Sequence, residues 1–287
     1  MCPQCKAGLL NLIKRFLPET YKSIFFKKLK HLNWTNIKNQ NIENELLLIG
    51  YILDKQSVFI DVGSNLGQYV YMAGKQVAGE NIFAFEPNPS LNKRLKHLFK
   101  QVHVVQAALS SEQGTFKFKI PIFKDREIHT RGTLKTEHTE TEETSFNLIS
   151  VQALTLDAYV QSQAIDRVSL IKIDVEGAEF DVLKGADSVI REKRPAIIVE
   201  IEQRHHATAI KDFILTFEKQ YAYRTYYFDS KSQELKDDIA AQKIDNLQSE
   251  ENHAKNRLFV NNFIFLPKEQ YTSAVISEIQ EKIKSGL

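Results

Sequence analysis

An α/β fold on a mostly parallel sheet, with helices on both faces and an N-terminal helical extension, is what this 287-residue sequence predicts. Three observations carry that prediction. Residues 58–67 read V-F-I-D-V-G-S-N-L-G, an apolar β-branched run that ends in an acid and turns through two glycines into a helix. A second apolar run closes on Phe85-Glu86-Pro87, which places Glu86 25 residues after Asp61. That is near the spacing at which α/β nucleotide folds set a carboxylate on ribose hydroxyls. Finally, four acids, Asp61, Glu86, Asp174 and Glu200, fall at the ends of such runs. Strand carboxyl ends face the ligand cleft in open α/β sheets, and buried carboxylates are costly unless partnered, so four of them point to one shared cleft.

The elements follow in order. The first 50 residues read mainly as helix, with Leu46, Leu47, Ile49 and Ile52 forming an apolar face. Val58 to Val62 is a buried parallel strand and Leu66 to Val77 the helix behind it. Ile82 to Phe85 is strand two; after the turn-forming Pro87-Asn88-Pro89-Ser90, Leu91, Leu95, Leu98 and Phe99 recur at helical spacing. Val102 to Gln106 is strand three, and Thr115 to Ile120 alternates cleanly enough for an exposed or edge strand. From Pro121 to Phe146 hydrophobicity collapses, which predicts either a solvated loop or a lid, with Arg131, Gly132 and Thr133 as its substrate contacts. Order returns at Leu154 to Val160. Val168 to Ile173 is strand four, Glu176 to Lys184 a helix stopped by Gly185, and Ala196 to Ile201 strand five. Phe213 and Phe217 mark a further helix. Tyr221 to Phe228 and Arg257 to Leu266 are the last strands, with a polar excursion over Lys231 to Lys255 between them. The expected division is an extension over residues 1–50 and one α/β domain over 51–287.

Composition narrows the partners. A net charge of +2 is too near neutral to require a polyanion, and no basic stripe with interleaved aromatics stands out, so nucleic acid is not an expected partner. Cys2 and Cys5, a single CxxC, are the only cysteines; they form neither a disulfide framework nor a closed zinc site, and they fit a reducing, cytoplasmic setting. No apolar run approaches the roughly 20 residues that span a bilayer, and the start lacks a secretory pattern. Residues 9–32 alternate apolar and basic side chains, which suits a helix packed on its own domain or peripheral contact with an anionic membrane.

The glycine turn also speaks to the ligand. Gly63 and Gly67 enclose Ser64, Asn65 and Leu66, so the G-x-G-x-x-G of dinucleotide folds is missing. Asp61 beside the turn would repel a pyrophosphate but suits a cationic ligand. Among adenosine cofactors, S-adenosylmethionine, with its sulfonium and amino groups, meets that demand.

The stretches FIDVGSNLGQY, FAFEPNP, TLDAYV, LIKIDVEGAEFDVLKGA and PAIIVEIE resemble, in order from about Val58 to Arg204, the FkbM-type S-adenosylmethionine-dependent methyltransferases. The resemblance implies a class I methyltransferase (Rossmann-like) sheet of seven mostly parallel strands. It also implies methyl transfer to a hydroxyl of a sugar, glycan precursor or secondary metabolite. On that reading Asp61 sits near the cofactor's amino-acid moiety, and Gly63, Ser64, Asn65 and Gly67 line its path. Glu86 takes the ribose hydroxyls and the backbone at Ala107 meets the adenine. Methyl transfer needs an aligned acceptor and removal of its proton. Asp174 is the first candidate for that work and for cofactor contact, then Glu176, then Glu200, with His205 or His206 behind them. Glu179, at a helix start, is expected to be structural. Asp174 with Glu176 supplies too few oxygens for a hard cation, so no metal is expected. A nicotinamide-dependent oxidoreductase, or a non-catalytic cofactor-binding protein on the same fold, are the competing readings.

Overall fold

Short runs of apolar, largely β-branched residues buried on both faces form the centre of the molecule, as parallel strands require. In the computed structural model the described residues are 12–37 except 15, with 40, 42–239, 248 and 259–286. Cys2, Cys5, residues 9–11 and most of the excursion after Ile239 therefore lie outside them. Among the described residues, α1 (Pro18–Phe25), α2 (Lys27–Lys30) and α3 (Glu45–Ile52) precede β1 (Phe59–Val62). Then come α4 (Gln68–Ala73), β2 (Ile82–Phe85), α5 (Pro89–Leu98), β3 (His103–Val105), β4 (Ala108–Leu109), β5 (Gly114–Phe123), β6 (Arg126–Glu127) and β7 (Ser145–Leu154). The second half holds α6 (Leu156–Ser162), β8 (Leu170–Ile173), α7 (Glu179–Lys184), α8 (Asp187–Lys193), β9 (Ala196–Glu200) and α9 (Ile210–Tyr221). It closes with β10 (Tyr223–Asp229), β11 (Glu234–Lys236), β12 (Asn262–Pro267) and α10 (Ser273–Ser285).

The main sheet runs β11-β10-β12-β9-β8-β1-β2-β3. β1, β2, β3, β8 and β9 pair in parallel, and β12 is antiparallel to both its neighbours. Eight strands replace the expected seven, because β11 folds back on β10 as an extra antiparallel edge. The chain leaves β1 towards β3 and returns to β8 on the other side of β1. The switch in strand order therefore falls between β1 and β8, where open α/β sheets bind ligands.

Alternate residues of each strand feed two cores. Phe59, Ala84, Leu170 and Ile198 pack with α3, α4 and α10, together with Tyr21, Phe26, Leu29 and Trp34 of the N-terminal segment. Ile60, Phe85, Ile171 and Ile197 pack with α6, α7, α8 and α9. Residue 50 lies within α3, and the N-terminal segment shares the first of these cores with the sheet.

A second sheet, β4-β7-β5-β6, occupies the interval between β3 and β8. One expectation holds in part and another is corrected. Over residues 115–120, β5 pairs with β7 on one side and on the other makes only a bridge from Lys119 to Thr133, since β6 meets it at Ile122 and Phe123; Phe118 and Ile120 are buried against Val151 and Ala153. The polar stretch 121–146 is not simply a solvated loop. Glu143 pairs with Lys119 at 2.7 Å, both side chains almost wholly buried, and the same Lys119 ammonium donates to the His138 carbonyl. Breaking a buried pair strands a charge, at roughly 3–5 kcal/mol. Glu143→Ala should therefore lower the melting temperature and accelerate proteolysis within residues 121–146; an unchanged melt and cleavage pattern would contradict the buried pairing.

Candidate functional site

The β1–α4 turn is wound by three left-handed residues, Gly63 (φ 80°), Asn65 (φ 50°) and Gly67 (φ 83°). Gly63 and Ser64 donate their backbone N–H groups to the Phe85 carbonyl, which locks the turn to the end of β2. The two glycines answer different constraints. A Cβ on Gly63 would lie 1.8 Å from the Asp174 carbonyl oxygen, so the turn touches the end of β8 directly. A Cβ on Gly67 would meet Leu95 and Phe99 at 2.8 Å, so Gly67 is set by packing on α5 and lines neither of the two cavities described below. Gly63→Ala combines a backbone collision with an unfavourable φ. We expect a loss above about 4 kcal/mol, read as insoluble protein or a collapsed melting temperature, where Gly50→Ala serves as a mild control.

Glu86 leaves β2 buried and aimed into this turn. Its Oε2 accepts from Asn65 N and its Oε1 from Asn88 N, each at 2.8 Å. A carboxylate has about four acceptor positions, so two remain for a ligand. Burial pushes Glu86 up to about 7, against the two backbone N–H groups that favour its ionised form.

Two cavities meet at the turn. The first encloses about 540 Å³ including its mouth, between Glu86, Ala107, Leu109, Phe118, His129 and Glu176. The second lies among Glu43, Asp61, Ser64, Gln68, Tyr69 and Lys172. Gly63, Asn65 and Asp174 line both and form their junction. Two buried acceptors at the end of β1 and in its turn, Asp61 Oδ2 and Asn65 Oδ1, have no hydrogen-bonding partner among the described residues. Burial raises Asp61 to about 7, opposed chiefly by Lys172.

The D-V-E-G turn after β8 carries the next acids. Asp174 is tied by its N–H to the Val62 carbonyl at 2.9 Å. Glu176 (φ 53°) and Gly177 (φ 100°) are both left-handed, a costly conformation for glutamate that aligns with function when it recurs at a cleft. Asp174 and Glu176 are both raised, first by burial; the Asp174 charge raises Glu176 further, whereas Lys172 pulls Asp174 back down. Glu200 is also raised by burial and by Asp174, but its Oε1 accepts from Asn261 Nδ2 at 2.6 Å, and neither cavity reaches it. Glu179 caps its own turn, accepting from Gly177 N, and binds His206 Nε2 at 2.8 Å. Burial, with the Arg204 guanidinium beside it, lowers His205 to about 3. It is a poor proton acceptor, and His206 is committed to Glu179.

Lys172 and Glu43 are contributors that the sequence did not single out, whereas residues 129–134, inside the stretch expected as a solvated loop or a lid, lie across the first cavity as a strap with three polar ties. Asn65 Nδ2 donates to the Thr130 carbonyl at 3.2 Å, Asn88 Nδ2 meets His129 Nδ1 at 3.1 Å, and Thr133 Oγ1 donates to the Glu176 carbonyl at 2.7 Å. Of the expected contacts there, Gly132 lines the cavity, Thr133 ties to Glu176, and Arg131 turns outward to pair with Glu140 at 2.6 Å. Lys172 is a fully buried cation on β8 whose Nζ donates to Asn262 Oδ1 at 3.0 Å. Burial alone would lower it, but Glu43, Asp174, Glu200 and Glu45 keep it raised and charged. A lone lysine inside the run Leu170-Ile171-Lys172-Ile173 was the signal. Glu43 had no such signal; it reaches the second cavity from the N-terminal segment and accepts from the Tyr69 hydroxyl at 2.7 Å.

A glycine turn locked to a carboxylate at a sheet's switch point defines an α/β protein whose cleft lies where open α/β sheets bind ligands. The chain belongs to the FkbM methyltransferase family, whose domain model matches residues 61–225. It is 30% identical over 152 residues to the hexuronic acid methyltransferase AglP of Haloferax volcanii, a match covering 52% of this chain and 57% of AglP. It is 27% identical over 178 residues to the methyltransferase sdnD of Sordaria araneosa, covering 52% of this chain and 67% of sdnD. The chain thus spans little more than half the length of AglP. A crystal structure of methyltransferase FkbM from Methylobacillus flagellatus KT overlays with a TM-score of 0.46 and 13% identity, over 74% of this chain and 44% of that one.

Proposed function

We propose that the protein is an S-adenosylmethionine-dependent O-methyltransferase acting on a hydroxyl of a sugar, glycan precursor or secondary metabolite. The observation that carries the reading is buried Glu86, fixed against the glycine turn with two acceptor positions unspent. The orphaned acceptors Asp61 Oδ2 and Asn65 Oδ1 support it, since buried polar atoms call for partners and a cofactor amino group brings donors. The likeness to a hexuronic acid methyltransferase supports a carbohydrate-like acceptor.

On this reading Glu86 holds the ribose, the Ala107 backbone borders the adenine, and Asp61 with Ser64 and Asn65 receives the amino-acid end. The cofactor supplies a methyl group already activated by its sulfonium. Asp174, at the junction of the two cavities, orients the acceptor hydroxyl and takes its proton, with Glu176 beside it in the same cleft. Glu200 ranks behind them, held by Asn261 away from both cavities. Among the described residues no group of three or more His, Cys, Asp or Glu is arranged to hold a metal. Titration calorimetry with S-adenosylhomocysteine, followed by a labelled-methyl assay over a panel of sugars and hydroxylated metabolites, tests the proposal. Binding of NADH in place of S-adenosylhomocysteine would overturn it in favour of an oxidoreductase. Cofactor binding without transfer to any acceptor would leave a non-catalytic protein.

A further inference from the structure

The N-terminal helical segment carries an exposed surface that the cofactor cleft does not use. Leu12 (57% exposed), Phe16 (65%), Leu17 (56%), Ile24 (48%) and Phe25 (39%) lie within fourteen residues of chain. Large apolar side chains this exposed and this clustered mark an interaction surface. The segment is not a loose leader. Tyr21, Phe26 and Leu29 are buried, Phe26 stacks on Tyr71 with centroids 4.5 Å apart, and Lys75 Nζ donates to the Leu29 carbonyl at 2.6 Å. Its exposed face is therefore held in a fixed orientation.

Beside it runs the basic side of α5. His97 Nε2 meets the Lys14 carbonyl at 2.5 Å, and the Arg94 guanidinium lies 4.1 Å from the Phe25 ring centroid. Lys14, Lys93, Lys96 and Lys100 border one open concavity. Residues 12–30 and 89–100 hold ten Lys and Arg and one acid, Glu19, a net charge of +9. The whole chain carries +2, so the remainder is −7. The positive charge is concentrated next to the apolar cluster.

We propose that this face, α1 with residues 12–17 and the outer side of α5, docks on an anionic lipid bilayer. Apolar side chains entering the acyl boundary, with cations at headgroup level, are the two contributions that hold an interfacial helix. A second copy of this chain would bring the same positive charge to the contact and be repelled. A nucleic acid would use the cations and leave five large apolar side chains in water. Arg94 also donates from Nη1 to the Leu66 carbonyl in the glycine turn at 2.7 Å, so the docking face reaches the rim of the cofactor site.

Sedimentation of the full chain with vesicles tests this independently of any catalytic reading. With vesicles of phosphatidylcholine containing roughly 30 mol % phosphatidylglycerol we expect at least about tenfold stronger partitioning than with phosphatidylcholine alone, lost at high salt. Lys93→Glu/Lys96→Glu and Leu17→Glu/Ile24→Glu should each reduce it about tenfold or more while the melting temperature holds. Equal partitioning onto both vesicles, no partitioning, or variants that bind like wild type would overturn the proposal. So would a solution dimer dispersed by Leu17→Glu/Ile24→Glu, or oligonucleotide binding lost only in the lysine variant.

Discussion

Replacing Glu86 by Gln is expected to weaken S-adenosylhomocysteine binding by about one to three orders of magnitude, since hydrogen bonds to a charged acceptor contribute roughly 1.5–3 kcal/mol each. Gln keeps an acceptor for only one of the Asn65 and Asn88 N–H groups, so the fold should survive with a small loss of stability. Glu86→Ala removes both and should also lower the melting temperature. Affinity should follow pH as well. With Glu86 at about 7, only its ionised form offers all its acceptors, so binding should fall by up to about tenfold per pH unit below 7. Stability of the ligand-free protein should run the other way. Glu45, Asp61 and Glu86 all have folded-state values raised by burial to about 7, above their unfolded ones. Their stabilising contribution is full below the ordinary carboxylate range and is lost as pH rises to 7. Melting should therefore occur at higher temperature at pH 6 than at pH 8 without ligand, and saturating S-adenosylhomocysteine should shrink that difference. A Glu86→Gln protein that binds like wild type would end the nucleoside reading of the cleft.

Asp174→Asn is the second large effect. Losing a general base typically costs 10²–10⁴ in rate, so kcat should drop by about that factor while S-adenosylhomocysteine affinity changes less than in Glu86→Gln. Because burial raises Asp174, the wild-type rate should climb with pH across the weakly acidic range, and the variant should lose that limb. Glu176→Gln is the control. It also lines the cleft, and if it alone removes the limb the proton-accepting role passes to Glu176.

Much of the site was legible because its chemistry sits at strand ends. Phe59–Val62 and Ile82–Phe85 are buried on both faces, and such runs stand out as apolar stretches closed by an acid. What escaped detection had weak patterning. β7 was missed because Val151 and Ala153 alone of its ten residues are buried, too few to set a clear alternation. α10 lies at the far end with only Ile279 and Ile283 buried. The strap was anticipated as part of a lid, but its ties run through backbone carbonyls and polar side chains that leave no periodicity, so their partners were not legible. Glu43 reaches the site only because the N-terminal segment packs into the sheet's own core. The glycines show a subtler gap: their spacing announced a turn, but only coordinates separate Gly63, pressed on β8, from Gly67, pressed on α5.

The strap over the first cavity sets a clock as well as a boundary. It roofs a cavity of about 540 Å³ including the mouth, and is held there by three polar ties. On the proposed reading, residues 129–134 peel from Asn65, Asn88 and Glu176 as ligand enters and leaves. Peeling is a diffusive motion through solvent, and where it is slower than chemistry, residence time rather than reactivity governs throughput. Turnover would then slow in viscous media, and Thr133→Val, which cuts one tie, would shorten the stay of spent cofactor.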